Sequence, residues 1–185
     1  MKHNFHLLLL LICFSSFSQE IKDAEQIEKP KTKRTFLQFD ASIPLAANIH
    51  RGETSDGSKN TTWFLPNGLS GKFGFGIQQN KWIGISLHTG IDWIADEKLL
   101  AVPMFGNLRI SPGLGNGSRI TLQAGLGKGF ALGRGNLVGA YQKYSIGIET
   151  DEDFILFAEV SGYDFKIHNN TSVYSFSLGI AIRTF

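Results

Sequence analysis

The sequence predicts an all-β fold: eight antiparallel strands closed up-and-down into a barrel that spans a membrane. Three observations predict it. The first is strict period-two alternation. In Val173–Phe185, Tyr174, Phe176, Leu178, Ile180 and Ile182 take one parity, while Ser175, Ser177, Gly179, Ala181 and Arg183 take the other. That is a strand with one apolar and one small or polar face. The second is repetition, because eight such segments follow one another, each about ten residues long, as an inclined strand needs to cross a bilayer. The third is composition: 21 Gly and 15 Phe with a single Cys among 185 residues. A long apolar strand left uncovered at an open edge invites aggregation. Closure against the first strand removes that edge.

The first expected strand is Phe36–Asn48, with Leu37, Phe39, Ala41, Ile43 and Leu45 on the apolar parity and Gln38, Asp40 and Ser42 opposite. A polar connection, His50–Thr62, is rich in turn residues. The second strand, Leu69–Gln78, sets Phe73, Phe75 and Ile77 against Lys72, Gly74, Gly76 and Gln78. After a tight turn at Gln79-Asn80-Lys81 comes Trp82–Ile94, where Ile83, Ile85, Leu87, Thr89, Ile91 and Trp93 oppose Gly84, Ser86, His88, Gly90 and Asp92. The fourth strand, Leu100–Ile110, carries Pro103 near its start, where a missing ladder bond is tolerable. Ser118–Phe130 opposes Ile120, Leu122, Ala124 and Leu126 to Arg119, Thr121, Gln123 and three glycines. Ala140–Glu149, Phe154–Asp164 and Val173–Phe185 complete the eight. An even count puts both termini on one side, which is expected to be the periplasm. The external connections are then His50–Thr62, Asp96–Lys98, Gly133–Gly139 and Lys166–Thr171. The aromatics Phe36, Trp82, Trp93, Phe130, Tyr141, Phe154 and Tyr174 stand near strand ends and are expected in interfacial girdles.

Ahead of the barrel, residues 1–18 read as a signal peptide: Lys2, an apolar core Leu7–Phe14, and Ser16-Phe17-Ser18 before Gln19. That core is far short of the ~20 residues of a spanning helix. Leu10-Leu11-Ile12-Cys13 is a weak lipoprotein box, with a bulky Ile12 at the position before the cysteine. Cleavage after Ser18 removes the one cysteine, and with it any disulfide or thiol chemistry. Residues 19–34 form a charged tail or linker with Pro30 and no sustained apolar face. Residues 35–185 are the barrel. The formal net charge of +2 is too balanced to argue for nucleic acid.

The leader, the alternation and the terminal aromatic Phe185 together resemble the small eight-stranded outer-membrane β-barrel proteins of Gram-negative-type bacteria. The resemblance covers 35–185 and rests on pattern rather than a diagnostic motif. It implies outer-membrane localisation, contact with outer-membrane lipids, and recognition of the last strand by the barrel-assembly machinery. One departure stands out. Phe185 shares parity with Arg183 and Gly179 rather than with Ile182 and Ile180. Either a bulge intervenes near Arg183 or the assembly signal is atypical.

The polar parity collects Asp40, Lys72, His88, Asp92, Arg109, Arg119, Lys143, Glu159 and Arg183. An eight-stranded interior is just wide enough for side chains, so charges there must pair and hydrogen-bond. Two readings stay open: a satisfied polar plug, or a narrow porin-like pore in which Arg109 or Arg119 exchanges between Asp92 and Glu159. Ser86, His88 and Asp92 invite an enzymatic reading, which the resemblance to outer-membrane barrels would make a lipid A hydrolase or acyltransferase. At i, i+2 on one strand, Ser86 and His88 stand roughly 7 Å apart, too far for a direct bond without another strand. The glycine runs at 113–117 and 125–130 match no phosphate loop. The histidines show no metal spacing, and no cofactor site or catalytic set emerges.

The favoured function is a non-enzymatic envelope protein, structural, surface-binding or narrow-pore. The first external loop, with Arg51, Glu53, Asp56, Lys59 and Trp63, is the expected binding element, because binding residues concentrate on loops held by a rigid scaffold. The alternatives are the lipid-modifying enzyme and a soluble periplasmic lipocalin-like carrier. Intact-mass measurement of the envelope form should give a chain beginning at Gln19; a diacylglyceryl mass on Cys13 would overturn the cleavage site.

Overall fold

The structure, a computed structural model, describes residues 34–48, 54–55, 58–59, 61–115, 117–133, 137–150, 152–167 and 171–185, with backbone alone for 54–55, 58–59, 166–167 and 171. The expected leader and the tail as far as residue 33 lie outside the described residues. Twelve strands are present among the described residues. They are β1 (Thr35–Ala47), β2 (Thr54–Ser55), β3 (Ser58–Lys59), β4 (Phe64–Pro66), β5 (Gly68–Gln79), β6 (Ile83–Ile94), β7 (Leu99–Ile110), β8 (Gly113–Gly115), β9 (Ser118–Leu132), β10 (Val138–Glu149), β11 (Phe154–Ile167) and β12 (Thr171–Thr184).

Eight of these are long and pair antiparallel in the order β1-β5-β6-β7-β9-β10-β11-β12, with β12 returning to β1. The barrel is therefore closed. All eight expected strands exist, and the differences are at their ends. β9 runs to Leu132, β10 begins at Val138 and β11 extends to Ile167, because pairing with a neighbour carries the ladder past the last residue of clear alternation. The expected polar loop after β1 is also partly structured, holding the small β2–β3 pair, while β4 adds to the end of β1.

The tilt follows from the register. A hydrogen-bonded row leaving β12 at Tyr174 passes through Gly162, Gln142, Leu126, Gly106, Leu87, Phe75 and Leu37. It re-enters β12 at Thr184, ten residues from where it left. Ten residues at ~3.3 Å against eight strand gaps at ~4.8 Å inclines the strands by about 40°, within the usual range for barrels. One end of the barrel carries tight turns. Asn80 and Lys81 both have positive φ, and Trp82 N donates to Gln79 O at 2.9 Å, the form of a type I′ hairpin turn. At the opposite end the chain passes from β1 toward β5, from β6 to β7, from β9 to β10 and from β11 to β12.

Burial decides the solvent. Leu87 is 75% exposed and Leu126 66%, whereas Arg109 is fully buried and Lys143 is 1% exposed. A water-soluble barrel buries its apolar parity; this one turns it outward and closes over its charges. The chain is an all-β transmembrane barrel, and the carrier reading falls.

Two corrections concern aromatics. Trp93 and Tyr174 face outward as expected, Phe130 and Phe154 are half-buried on the same face, and Trp82 is exposed in the turn before β6. Phe36 and Tyr141 instead lie in the lumen, 2% and 1% exposed. Position near a strand end does not choose the face; parity does, and Phe36 shares it with Gln38 and Asp40. The second correction concerns Phe185. Pairing of β1 with β12 runs unbroken from Leu45↔Phe176 to Leu37↔Thr184, so no bulge lies near Arg183. Phe185 keeps the inward parity, its ring centroid 5.2 Å from the Arg183 guanidinium and 4.6 Å from the Lys81 ammonium.

Depth and face can be tested together. Replacing Leu87, near mid-strand, by Arg should cost about 2–4 kcal/mol in urea titrations of vesicle-embedded protein, and Leu132→Arg at the end of β9 only about 0–1 kcal/mol. Equal losses at the two positions would refute the assignment.

Candidate functional site: the lumen

The lumen is filled in three tiers. At the loop end, Phe105, Tyr141, Tyr163 and Phe165 are all nearly fully buried and join Ile94, Leu99 and Val173 in one apolar cluster. Their rings form a ladder across the barrel from β6 to β11. His88 stacks on Phe105 with centroids 5.1 Å apart; Phe105–Tyr141 and Tyr141–Tyr163 are each at 4.9 Å, and Tyr163–Phe165 at 5.0 Å. Aromatic pairs prefer such offset or tilted contacts. Gly74 makes this possible at one end, since a Cβ there would lie 2.3 Å from the His88 ring. From sequence alone Phe105 shares the inward parity of Asn107 and Arg109, but the polar plug expected there did not include an aromatic tier. Its signal was available: all four aromatics sit on the polar parity of their strands.

The middle tier is an ion network whose struts cross the lumen. Lys72 on β5 pairs with Glu159 on β11 at 2.6 Å and with Asp92 at 3.5 Å. Lys143 on β10 pairs with the same Glu159 at 2.8 Å and with Asp40 on β1 at 3.3 Å. Three carboxylates thus face two ammonium groups, and neutral donors make up the difference. Gln38 donates to Asp40 at 2.8 Å, Tyr163 to Asp92 at 2.5 Å, and Ser70 to Asp92. Buried charges survive only when paired and bonded in this way.

At the short-turn end, Arg109 and Arg183 converge on Glu149, which also accepts from Thr121 at 3.1 Å. Arg109 donates to Gln78 at 2.5 Å, and Arg183 lies 3.4 Å from Asp153. The Phe36 ring packs against both guanidinium groups, at 4.9 and 5.9 Å. Arg119 is only half-buried and donates to Ser111 O at 3.4 Å.

Of the expected lumen residues, Asp40, Lys72, Asp92 and Glu159 form one network with Lys143, and Arg109 and Arg183 form another around Glu149, which the sequence reading left out of its site. Asp92 and Glu159, between which an exchange of Arg109 or Arg119 was expected, are both held by the lysine tier, while Arg109 pairs with Glu149 and Arg119 donates to Ser111 O. Register could not have shown this, because ion partners such as Lys72 and Glu159 belong to strands that are not neighbours.

The Ser86–His88 expectation also needs correction. Ser86 Oγ lies 2.9 Å from His88 Nε2, although ladder spacing put them beyond direct reach. Spacing along the backbone sets Cα separation, and the long imidazole leans back along the strand to close the gap. The pair is nevertheless not a triad. Asp92 is taken by Ser70, Tyr163 and Lys72, and both members are buried in the lumen, with His88 stacked on Phe105. Among the described residues, no group of three His, Cys, Asp or Glu side chains could hold a metal ion.

A cavity of about 10 Å³ lies among Pro44, Ser70, Lys72, Asp92, Ser161 and Ser177, room for at most one water.

The chain is similar to Neisserial surface protein A, with 13% identity over 81% of this chain and 96% of that one, at a TM-score of 0.54. The chain has the fold of the small eight-stranded outer-membrane β-barrels. Ail of Yersinia pestis (12% identity, 80% of this chain and 99% of that one, TM-score 0.43) and AlkL (9% identity, 89% and 97%, TM-score 0.38) align more loosely. No family model and no curated protein matches the sequence.

The barrel's networks predict an asymmetry in stability. Glu159→Gln leaves Lys72 and Lys143 short of their shared anion and should destabilise the barrel by about 3–5 kcal/mol. Ser86→Ala removes one neutral hydrogen bond and should cost about 0.5–1.5 kcal/mol. Urea unfolding followed by tryptophan fluorescence measures both; comparable losses would mean that Glu159 does not bridge the lysines.

Proposed function

We propose that this protein is a non-enzymatic barrel of a Gram-negative-type outer membrane, closed to solutes, whose external loops make its contacts at the cell surface. The observation that carries the reading is the filled lumen. An aromatic ladder lies over a lysine–carboxylate tier, which lies over an arginine–glutamate tier, and little room is left between them. Eight strands of this tilt leave no diameter for a channel once such side chains are present. The burial of Ser86 and His88 supports the non-enzymatic reading too, since a lipid-modifying site must meet its substrate at the outer surface.

The loop end, on this reading, faces outward, and the connection after β1 is its longest. Asn48 clamps that connection at its base. Its side chain donates to Thr62 O at 2.9 Å, and its backbone N–H donates to Trp63 O at 2.9 Å. Trp63 is 64% exposed above the barrel, an aromatic anchor of the kind that interfaces enrich. Arg51, Glu53 and Asp56 lie outside the described residues, and Lys59 is described by its backbone in β3. They remain part of the proposed binding element through their place in the chain. The outer face meets membrane lipids, and β12 is the strand offered to the barrel-assembly machinery.

Two measurements on purified protein test the proposal. Planar-bilayer recording should show no steady conductance. Deleting 52–59 should leave the heat-dependent shift on denaturing gels intact, because barrel hydrogen bonds have no competitor in lipid, while altering surface binding or phage sensitivity. Steady conductance would defeat the closed lumen, and an unaltered binding profile would remove the loop's role.

A further inference from the structure

The outward parity of the long strands is apolar with few exceptions. Apart from Thr89 and polar residues at the short-turn ends of strands, the exceptions gather on one side of the barrel, toward the loop end: Lys128 on β9, Gln142 on β10, Asp164 on β11, and Ser172 and Tyr174 on β12. Lys128 is exposed, and it is the one cation of the outward parity whose side chain is described; Lys166, at the end of β11, is described by its backbone alone. It stands four residues before the last residue of β9, Leu132. For a strand rising ~3.3 Å per residue at the tilt found here, that is roughly 10 Å below the rim. Trp93 and Tyr174, outward aromatics of this end, mark the interface at which lipid headgroups lie. A lysine in such a place carries its ammonium toward the headgroups along its apolar stem.

Its neighbours present donors. Lys128 is directly opposite Ala140 on β10, and Gln142 is the next outward residue of that strand, so the two side chains are diagonal neighbours about 7–8 Å apart at their roots. Gln142 pairs across β11 at Gly162, and Gly162 pairs with Tyr174. Because residue 162 is glycine, the Tyr174 ring lies over it; a Cβ there would meet the ring at 2.6 Å. The Tyr174 hydroxyl thereby accepts from the Gln142 amide at 3.5 Å. The second amide hydrogen and the phenolic hydrogen remain to be given outward, beside an ammonium group. Asp164 faces outward on the far side of Ala140 and accepts from Ser172 at 3.2 Å.

We propose that Lys128, Gln142 and Tyr174 bind the phosphate of a lipid headgroup in the leaflet at the loop end. A cation on a lipid-facing strand needs an anion, and three convergent donors suit the oxygens of a phosphate ester. The lipid's acyl chains then lie along the apolar residues below, Leu126 among them. Asp164 sets the limit of the site, since its carboxylate repels the headgroup from the rim side and holds it toward Gln142. The inference rests on the membrane-spanning reading of the barrel and is independent of the role of its loops.

The test uses the full mature chain, folded in micelles containing phosphatidylcholine and phosphatidylglycerol in equal amounts, with retained lipid counted by native mass spectrometry. The unaltered protein should retain phosphatidylglycerol in preference. Lys128→Leu, a change that suits the lipid face, should lower that retention about five-fold, the effect of roughly one basic residue at an anionic surface. Gln142→Leu and Tyr174→Phe should each lower it without altering net charge, and Asp164→Asn should maintain or raise it. Heat-dependent gel shifts confirm folding of each variant. Retention unchanged in a folded Lys128→Leu protein, or a fall in Asp164→Asn as large as in Lys128→Leu, would overturn the site while leaving the barrel reading intact. Displacement of the lipid by millimolar inorganic phosphate would show a site for free anions and also overturn it. Failure of the unaltered chain to insert into vesicles would remove the membrane reading and the site together.

Discussion

Closure of the hydrogen-bonded row after a stagger of ten residues is the constraint from which the rest follows. It sets strand tilt, and tilt with eight strands sets a bore that side chains fill. No edge remains to be protected, so every long strand can present a continuous apolar face outward. The same closure removes water from the interior. Charges pointing inward then meet partners from other strands, as Lys72 and Lys143 meet Glu159, and that requirement shapes the lumen more than any local preference does.

The interior meets it by separating charge into tiers. In the lysine tier, Glu159 is the hub because both Lys72 and Lys143 reach it from different strands. The two remaining carboxylates, Asp40 and Asp92, each take one ammonium and supplement it with neutral donors. In the arginine tier, planar guanidinium groups lie against the Phe36 ring, a contact that suits their shape and weak hydration. Between the lysine tier and the rim, Tyr163 serves both worlds: its ring belongs to the aromatic ladder and its hydroxyl to Asp92. Apolar and ionic tiers are thereby tied into one core.

The outer surface obeys a different solvent and a simpler rule. Where lipid is the environment, apolar side chains need no partners, and a polar one is conspicuous. Lys128, Gln142 and Asp164 break the rule together, on adjacent strands and toward one end. Small neighbours, Ala140 and Gly162, leave them room. Grouped exceptions of this kind carry more meaning than isolated ones such as Thr89.

Much of the fold was legible in the residues. Alternation named all eight long strands and assigned Leu87, Leu122 and Ile180 to the lipid and Asp40, Lys72 and Glu159 to the lumen, because side-chain parity in a strand is a local geometric property. The same rule, applied strictly, would have moved Phe36 and Tyr141 inside. Which charge meets which was not legible. Lys72 and Glu159 are 87 residues apart and sit on strands that never pair, so their contact depends on the bore and stagger of the closed barrel. The Ser86–His88 bond likewise depends on how an imidazole leans when Gly74 and Phe105 leave it one place to go. The sequence by itself determined the strands, their faces and the solvent on each side; the tertiary structure alone decided the partners, because partners across a lumen are chosen by closure, and closure is a property of all eight strands at once.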